Sequence, residues 1–207
     1  MRKTGILMPV SSLPSRTGVG EMGAEAYHFL TLLKESGVKI WQILPMNPVG
    51  YGNSPYQPYS SCAGDELYIS LDTLYEEGLL KERPEGFHEY ATKVDYDAVR
   101  LHKEPYLREA FQAFLTSGSC ETKDYQEFAD QSWVYEYGAF RALKKANGGC
   151  CWNEWKQEDK MWPDARTDLA PELETEVQYH MFLQYVFFSQ WMKLKEKANA
   201  YDIQIMG

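Results

Sequence analysis

The segment from Gly50 to Ser61 carries residue types that suit an uncharged, hydroxyl-rich ligand. It reads GYGNSPYQPYSS and follows closely on the apolar run from Ile40 to Pro45. Aromatic rings can pack on the apolar faces of sugars, while serine, asparagine, glutamine and backbone groups hydrogen-bond to hydroxyls. The same composition is also typical of an ordinary β-to-α loop whose glycines and prolines only satisfy turn geometry. Composition alone leaves both interpretations open.

The elements around this segment indicate a parallel α/β arrangement. Strands are predicted at about residues 5–10 and 38–45, and an amphipathic helix lies between them. Its apolar stripe, at i, i+3, i+4 and i+7, consists of Ala26, Phe29, Leu30 and Leu33. Gly37 stands where a helix C-cap glycine belongs. Strand, helix and strand in so short a stretch predict a βαβ unit with a right-handed crossover.

The middle of the chain breaks this alternation, because helical patterns follow one another there without a strand. Pro105 is predicted to open a helix, and a second helical stretch runs from about Lys123 to Ala146. The buried face of the first would consist of Leu107, Ala110, Phe111 and Phe114. We interpret residues 76–170 as a mainly helical insertion subdomain.

Three segments therefore make up the predicted domain organisation. Residues 1–75 hold the first β/α units, and residues 76–170 form the insertion. Residues 171–207 hold a long helix, from about Pro171 to Ala198, and then the start of a third strand. Acidic residues near the start of that helix and lysines near its end complement the helix dipole.

Composition excludes several classes of partner. The chain has 207 residues and a formal net charge of −9, which argues against a nucleic acid or an acidic membrane surface as ligand. No apolar stretch approaches the roughly 20 residues of a membrane span, and the N-terminus lacks a continuous apolar signal region. The four cysteines fit no zinc pattern and are expected to be free thiols. We expect a cytoplasmic protein without a metal.

Residues Gly18 to Gly23 formally spell G-x-G-x-x-G, the dinucleotide-binding fingerprint. That fingerprint requires glycines at the immediate strand-to-helix turn and an acidic residue after the next strand. Here a loop intervenes, and the second strand ends at Leu44-Pro45-Met46 without an acidic residue. We therefore expect no cofactor and interpret the glycines as allowing a tight turn into the first helix.

Four stretches together resemble a known family. They are GILMPVSSLPSRTGVGEMG from Gly5, WQILPMNPVGYGNSPYQPYSSCAG from Trp41, FRALKKANGG from Phe140 and FLQYVFFSQWMKLKEKAN from Phe182. Their order and spacing are similar to those of the amylomaltases (disproportionating enzymes), the 4-α-glucanotransferases of glycoside hydrolase family 77. The resemblance covers only the N-terminal part of that family, roughly two-fifths of its length. It implies the beginning of a (β/α)₈ TIM barrel with a helical insertion, and a barrel that these residues do not close.

The resemblance also implies which residues contact the ligand. Tyr56 and Ser54 match positions that contact the glucan near the scissile bond, and Tyr51 matches a tyrosine tied to glucan binding. Each also has a structural interpretation, since Tyr56 could wedge the loop and Ser54 could cap a turn. Asp65 stands where the family more often has asparagine, so it can accept but not donate a hydrogen bond.

The implied activity is transfer of α-1,4-glucan chains between maltooligosaccharides by a retaining mechanism with two carboxyl groups. The resemblance places those carboxyl groups on later barrel strands, so no catalytic residue is predicted in this chain. The rest of the polypeptide would be needed to complete the barrel. An alternative is a non-catalytic glucan-binding or scaffolding protein, and an oxidoreductase would depend on the glycine fingerprint alone. Trp152 and Trp155 are either a sugar-stacking platform or anchors of the insertion.

Overall fold

Three short parallel strands form the sheet in the computed structural model, which describes residues 2–50, 52–87, 93–165 and 168–207. The strands are β1 (Gly5–Leu7), β2 (Ile40–Gln42) and β3 (Gln204–Met206), in the order β1-β2-β3. Ile40 pairs with Gly5 on one side and with Gln204 on the other. The predicted parallel pairing of the first two strands is confirmed.

The first two strands are shorter than the sequence predicts. One further hydrogen bond continues the β1–β2 pair, from Met8 N to the Gln42 carbonyl at 2.9 Å. Another continues the β2–β3 pair, from Ile43 N to the Met206 carbonyl at 2.8 Å. Proline follows soon after both bonds, at positions 9 and 45. Since proline has no N–H group to donate, the ladder stops there.

Helix α1 (Ala24–Glu35) forms the crossover between β1 and β2. Its predicted stripe faces inward, because Ala26, Leu30 and Leu33 are buried. The helix ends in a Schellman motif: Gly37 N donates to the Lys34 carbonyl at 3.1 Å, and Val38 N donates to the Leu33 carbonyl at 2.9 Å. Gly37 has a φ of +70°, so the predicted C-terminal glycine signal is confirmed.

Six further helices occur among the described residues. They are α2 (Leu71–Glu76), α3 (Tyr96–Thr116), α4 (Lys123–Ala129), α5 (Ser132–Ala146), α6 (Gln157–Ala165) and α7 (Pro171–Ala200). Short 3₁₀ helices lie at Val10–Ser12, Glu66–Tyr68, Ser119–Glu121 and Trp152–Glu154.

The predicted start of one helix is wrong, whereas the outer limits of the second predicted helical stretch are confirmed. Helix α3 begins at Tyr96 rather than at Pro105, because the carboxylate of Asp95 caps its first turn by accepting from Ala98 N at 3.0 Å. Pro105 lies inside the helix. The stretch from 123 to 146 is two helices, α4 and α5, since the chain turns between Ala129 and Ser132. The predicted buried face of α3 is confirmed.

The chain divides into two compact units, one of residues 1–118 with 186–207 and one of residues 119–185. The first unit contains the sheet and α1 to α3. The second has its own apolar core, formed by Val134, Ala139, Ala142, Leu143, Trp155, Trp162, Val177 and Met181. The domain limits at residues 75/76 and 170/171 stay a prediction.

The glycine-rich segment 18–23 packs against the 3₁₀ helix Val10–Ser12. Gly20 N donates to the Ser11 carbonyl at 3.1 Å, and a Cβ atom on Gly20 would lie 1.8 Å from the Val10 carbonyl oxygen. Helix α1 starts only at Ala24, after Gly23. The glycine at position 20 is therefore required by the close approach of two backbone segments.

Gly20→Ala should destabilise the protein by about 1–3 kcal/mol or more, because the new methyl group cannot be accommodated without moving backbone. Urea unfolding measures this loss. Gly37→Ala is the control: no heavy atom lies within 4 Å of its added Cβ, so only the positive φ is penalised, by about 1–2 kcal/mol. An unchanged unfolding midpoint for Gly20→Ala would contradict this packing.

Candidate functional site

The loop of residues 46–65, which leaves the C-terminal end of β2, is closed on itself by backbone hydrogen bonds. These run from Asp65 N to the Met46 carbonyl (2.8 Å), from Tyr59 N to the Pro48 carbonyl (2.9 Å) and from Gly50 N to the Gln57 carbonyl (3.4 Å). Val49 and Pro58 form an isolated antiparallel bridge. The loop is therefore a narrow hairpin-like excursion rather than an open connection.

Side chains fasten the two halves of this loop further. The Asn47 amide donates to the carbonyls of Ser61 and Ala63 at 3.2 and 2.9 Å. The Ser60 hydroxyl accepts from the backbone N–H groups of Cys62 and Ala63, both at 3.2 Å. These bonds join parts of the loop to one another, so contacts within the chain itself hold its two halves together.

Tyr56 and Ser54 lie in one tight turn of this loop. Gln57 N donates to the Ser54 carbonyl at 3.1 Å, and Pro55 occupies the second position of the turn, where proline is favoured. The Tyr56 side chain is 71% exposed, whereas Ser54 is half-buried. This exposure argues against the wedge interpretation of Tyr56. The third predicted contact, Tyr51, lies outside the described residues.

A small cavity of about 80 Å³ lies beneath the turn. Its lining combines apolar residues with the polar side chains of Ser11, Asn53, Asp65, Tyr68 and Tyr96. Burial raises the pKa of Tyr68 above the usual tyrosine range, so its phenol stays neutral and can donate a hydrogen bond. The cavity has room for a few water-sized groups.

Asp65 fixes the base of the loop through a salt bridge to Arg100 of α3. The pair is bidentate, with Arg100 Nη1 at 3.0 Å from Oδ1 and Nη2 at 2.8 Å from Oδ2. Leu67 N donates to Oδ1 at 3.0 Å, and Val49 N to Oδ2 at 3.4 Å. These four contacts match the roughly four acceptor positions of a carboxylate, so Asp65 has a structural role rather than a sugar contact.

The charge state of Asp65 depends on this arrangement. Burial raises the pKa of Asp65, with Glu66 adding to the rise, and the neighbouring Arg100 guanidinium opposes it. Arg100 also contacts Glu66 at 3.0 Å, so it binds two adjacent carboxylates. Nothing in the sequence identifies Arg100, because its partners lie far away along the chain.

A second cation of α3, Lys103, is buried and holds the neighbouring segments. Its ammonium group lies 2.7 Å from Glu21 Oε1, 2.7 Å from the Leu67 carbonyl and 2.6 Å from the Ile69 carbonyl. Glu21 also accepts a hydrogen bond from the Thr17 hydroxyl. All three ammonium protons therefore have acceptors.

A signal for Lys103 does exist in the sequence. The residue lies on the apolar stripe of α3, where it interrupts a series of buried residues: Val99, Leu107, Ala110, Phe111 and Phe114. A lysine at such a position requires a buried acidic partner. The sequence does not say that the partner is Glu21.

The family model described as 4-alpha-glucanotransferase, that of glycoside hydrolase family 77, matches residues 8–207. The chain belongs to this family. It is 41% identical to the 4-alpha-glucanotransferase of Thermus thermophilus and 40% identical to that of Synechocystis, over 100% of this chain and 42% of each relative. The chain thus spans about two-fifths of the length of the relatives it matches.

Solved structures agree with this assignment. An amylomaltase from Streptococcus agalactiae, solved in complex with acarbose, superposes with a TM-score of 0.88 at 32% identity. The superposition covers 99% of this chain and 42% of the amylomaltase chain. The three-stranded parallel sheet of this chain therefore corresponds to part of the amylomaltase fold.

Other features of a site are few in the part of the chain that the structure describes. No cluster of three or more histidine, cysteine or acidic residues there is arranged to hold a metal ion. Within the same residues, none of the helices combines the length and the apolar character that a membrane crossing requires. The four cysteines are free thiols.

Arg100→Met should cost about 3 kcal/mol of stability at neutral pH, because it leaves the buried Asp65 carboxylate without its charge partner. Urea unfolding of Arg100→Met, Asp65→Asn and the double variant measures the coupling. The double variant should lose less than the two single losses added together. Strict additivity would contradict an energetic link between the two side chains.

The loss in Arg100→Met should also depend on pH. Without the guanidinium, the folded-state pKa of Asp65 stays above the unfolded value of about 3.9. A carboxyl group whose pKa is higher in the folded than in the unfolded state contributes most to the free energy of unfolding below its unfolded pKa. That contribution is lost as the pH rises. The deficit relative to the unchanged protein should therefore grow from pH 4 towards pH 7, and a deficit that shrinks over this range would contradict the assignment.

Proposed function

We propose that the polypeptide to which this chain belongs is a 4-α-glucanotransferase. It would transfer segments of α-1,4-glucan between maltooligosaccharides. The single observation that carries the proposal is the family match over residues 8–207, which includes the loop that exposes Tyr56. The relatives bear the same enzyme name.

The fold proposed for the whole polypeptide is a (β/α)₈ barrel. Strands β1 to β3 would be its first three, and residues 76–170 would be the insertion between the second and the third. Active sites of such barrels lie at the C-terminal ends of the strands. The loop 46–65 leaves β2 at that end, which supports its assignment as a wall of the glucan cleft.

Tyr56, Ser54 and Tyr51 are the proposed glucan contacts. The exposed ring of Tyr56 can pack on the apolar face of a sugar, and the Ser54 hydroxyl can exchange a hydrogen bond with a sugar hydroxyl. Because the turn that carries Ser54 and Tyr56 is already closed by its own hydrogen bonds, binding does not require the loop to become ordered.

The chemistry itself would depend on two carboxyl groups outside this chain. In a retaining transfer, one carboxylate attacks the anomeric carbon and the other group protonates the departing oxygen. A sugar hydroxyl must then reach the glycosyl-enzyme before water does. The residues of loop 46–65 would favour transfer by holding the acceptor sugar and excluding water.

We also propose that the enzyme acts in the cytoplasm, in the metabolism of α-glucans. Four free thiols, two of them on exposed cysteines, support a reducing compartment. A neutral glucan also suits the net charge of −9, since binding an uncharged ligand does not require clustered lysine or arginine.

The function is tested with the complete gene product and maltotriose. A 4-α-glucanotransferase should release glucose and form maltooligosaccharides longer than maltotriose, which chromatography of the products detects. Glucose with maltose but no longer product would indicate hydrolysis. Binding of maltooligosaccharides without any turnover would favour a glucan-binding or scaffolding protein instead.

Tyr56→Ala in the complete gene product should lower kcat/KM for maltotriose about tenfold, since an aromatic contact with the sugar is lost. The unfolding midpoint should stay unchanged, because the side chain is largely exposed. Tyr56→Phe should retain most of the activity. Tyr75→Ala, an exposed tyrosine of α2, is the matched control. A stability loss that equals the activity loss would assign Tyr56 a structural role.

A further inference from the structure

We propose that the helical unit of residues 119–185 carries its own binding groove for an α-1,4-glucan chain. This aromatic groove lies among α5, the 3₁₀ helix Trp152–Glu154 and α6, and it shares no residue with loop 46–65. The chemical class of the ligand is taken from the proposed function. The groove itself is argued from the contacts that follow.

The aromatic groove has a volume of about 230 Å³. Its lining consists of Glu136, Phe140, Leu143, Trp152, Trp155, Asp159, Trp162 and Pro163. The concave surface thus combines two carboxylates and the exposed ring of Trp152 with the largely buried residues Leu143, Trp155 and Trp162. This combination matches a sugar ring, which has apolar C–H faces and a rim of hydroxyl groups.

Trp152 and Trp155, which the sequence leaves as either sugar-stacking residues or anchors, have different roles. Trp155 is buried, stacks on Phe140 at 5.7 Å between ring centroids with 29° between the planes, and donates from its indole nitrogen to the Cys150 carbonyl at 3.2 Å. Trp155 is therefore an anchor of the unit. Trp152 is 55% exposed and lines the groove, so its indole is available to a ligand.

Two carboxylates provide acceptors for hydroxyl groups. Asp159 is oriented by the Asn147 amide, which donates to Oδ2 at 2.7 Å. A carboxylate has about four acceptor positions, so this bond orients the group and leaves other acceptor positions for a ligand. Glu136 is exposed on the α5 side of the groove. Hydroxyl groups of a bound sugar can donate to both residues.

The end of α5 holds the walls of the groove in place. Asn147 donates from its amide to the Leu143 carbonyl at 2.8 Å as well as to Asp159, and its side-chain oxygen accepts from Lys156 N at 3.1 Å. Lys144 Nζ binds the carbonyls of Gly149 and Cys150 at 2.8 and 3.0 Å. The segment that presents Trp152 is thus attached to α5 before any ligand arrives, which lowers the cost of binding.

Other ligand classes fit this surface less well. An anion, such as a phosphate or a carboxylate ligand, would face Glu136 and Asp159. A purely apolar ligand would desolvate the same two carboxylates without hydrogen bonds to replace water. A neutral polyhydroxy ligand with an apolar face satisfies both parts of the groove. The family's neutral α-1,4-glucan is such a ligand.

The test uses the complete gene product labelled with 5-fluorotryptophan, and the ¹⁹F signal of Trp152 is assigned by its loss in Trp152→Phe. Titration with maltoheptaose should shift this signal saturably, also in a Tyr56→Ala background that weakens binding at loop 46–65. Trp152→Ala should weaken maltoheptaose binding in that background about fivefold to tenfold. Met161→Ala, an exposed apolar residue of α6 outside the groove lining, should not.

Two results would overturn the inference. One is a Trp152 signal that maltoheptaose does not shift. The other is a Trp152 signal that a soluble paramagnetic agent cannot broaden in the free protein, which would mean that another part of the polypeptide covers the groove. Product analysis with maltotriose separates this inference from the proposed function. Turnover of maltotriose without a shift of the Trp152 signal would contradict only the proposed binding groove. A shift of the Trp152 signal without turnover would contradict only the proposed transferase activity.

Discussion

Two cations on helix α3 organise the loops at the end of the sheet. Arg100 binds the carboxylates of Asp65 and Glu66, and Lys103 binds Glu21 and two backbone carbonyls from beneath the same segment. Buried ion pairs stabilise a fold little in net terms, since desolvation offsets their attraction. Their geometric demands are strict, however. Arg100 and Lys103 therefore attach α3 to these loops through several short contacts.

This constraint explains why a polar loop can present an exposed aromatic ring. Asp65 closes the loop 46–65 at its base, and the backbone bond from Asp65 N to Met46 joins its two ends. The tip is held by its own turn, and the Tyr56 side chain there is largely exposed. Internal hydrogen bonds of this kind reduce the conformational entropy that a loop loses when a ligand binds.

The sequence predicted the features that depend on neighbours along the chain. The stripe of α1, the Gly37 cap and the turn-rich loop after β2 follow from local spacing, and all three appear in the structure. The start of α3 was misplaced because Pro105 is a strong helix-opening signal, whereas the real cap, Asp95, is less conspicuous. The pairing of Arg100 with Asp65 was beyond sequence reasoning, since no spacing rule links an arginine on a helix to a carboxylate in a distant loop.

Both units contain buried aromatic residues that anchor the fold and exposed aromatic residues that can contact a ligand. Tyr68 is largely buried near the loop, and Trp155 is buried in the helical unit, while Tyr56 and Trp152 remain exposed beside them. Buried rings contribute to stability through the area they remove from water, and exposed rings contribute little. An exposed ring can therefore be kept for contact with a ligand at small cost to the fold. Substitutions at the two kinds of position should accordingly separate stability from binding, which makes the roles of Tyr56 and Trp152 accessible to experiment.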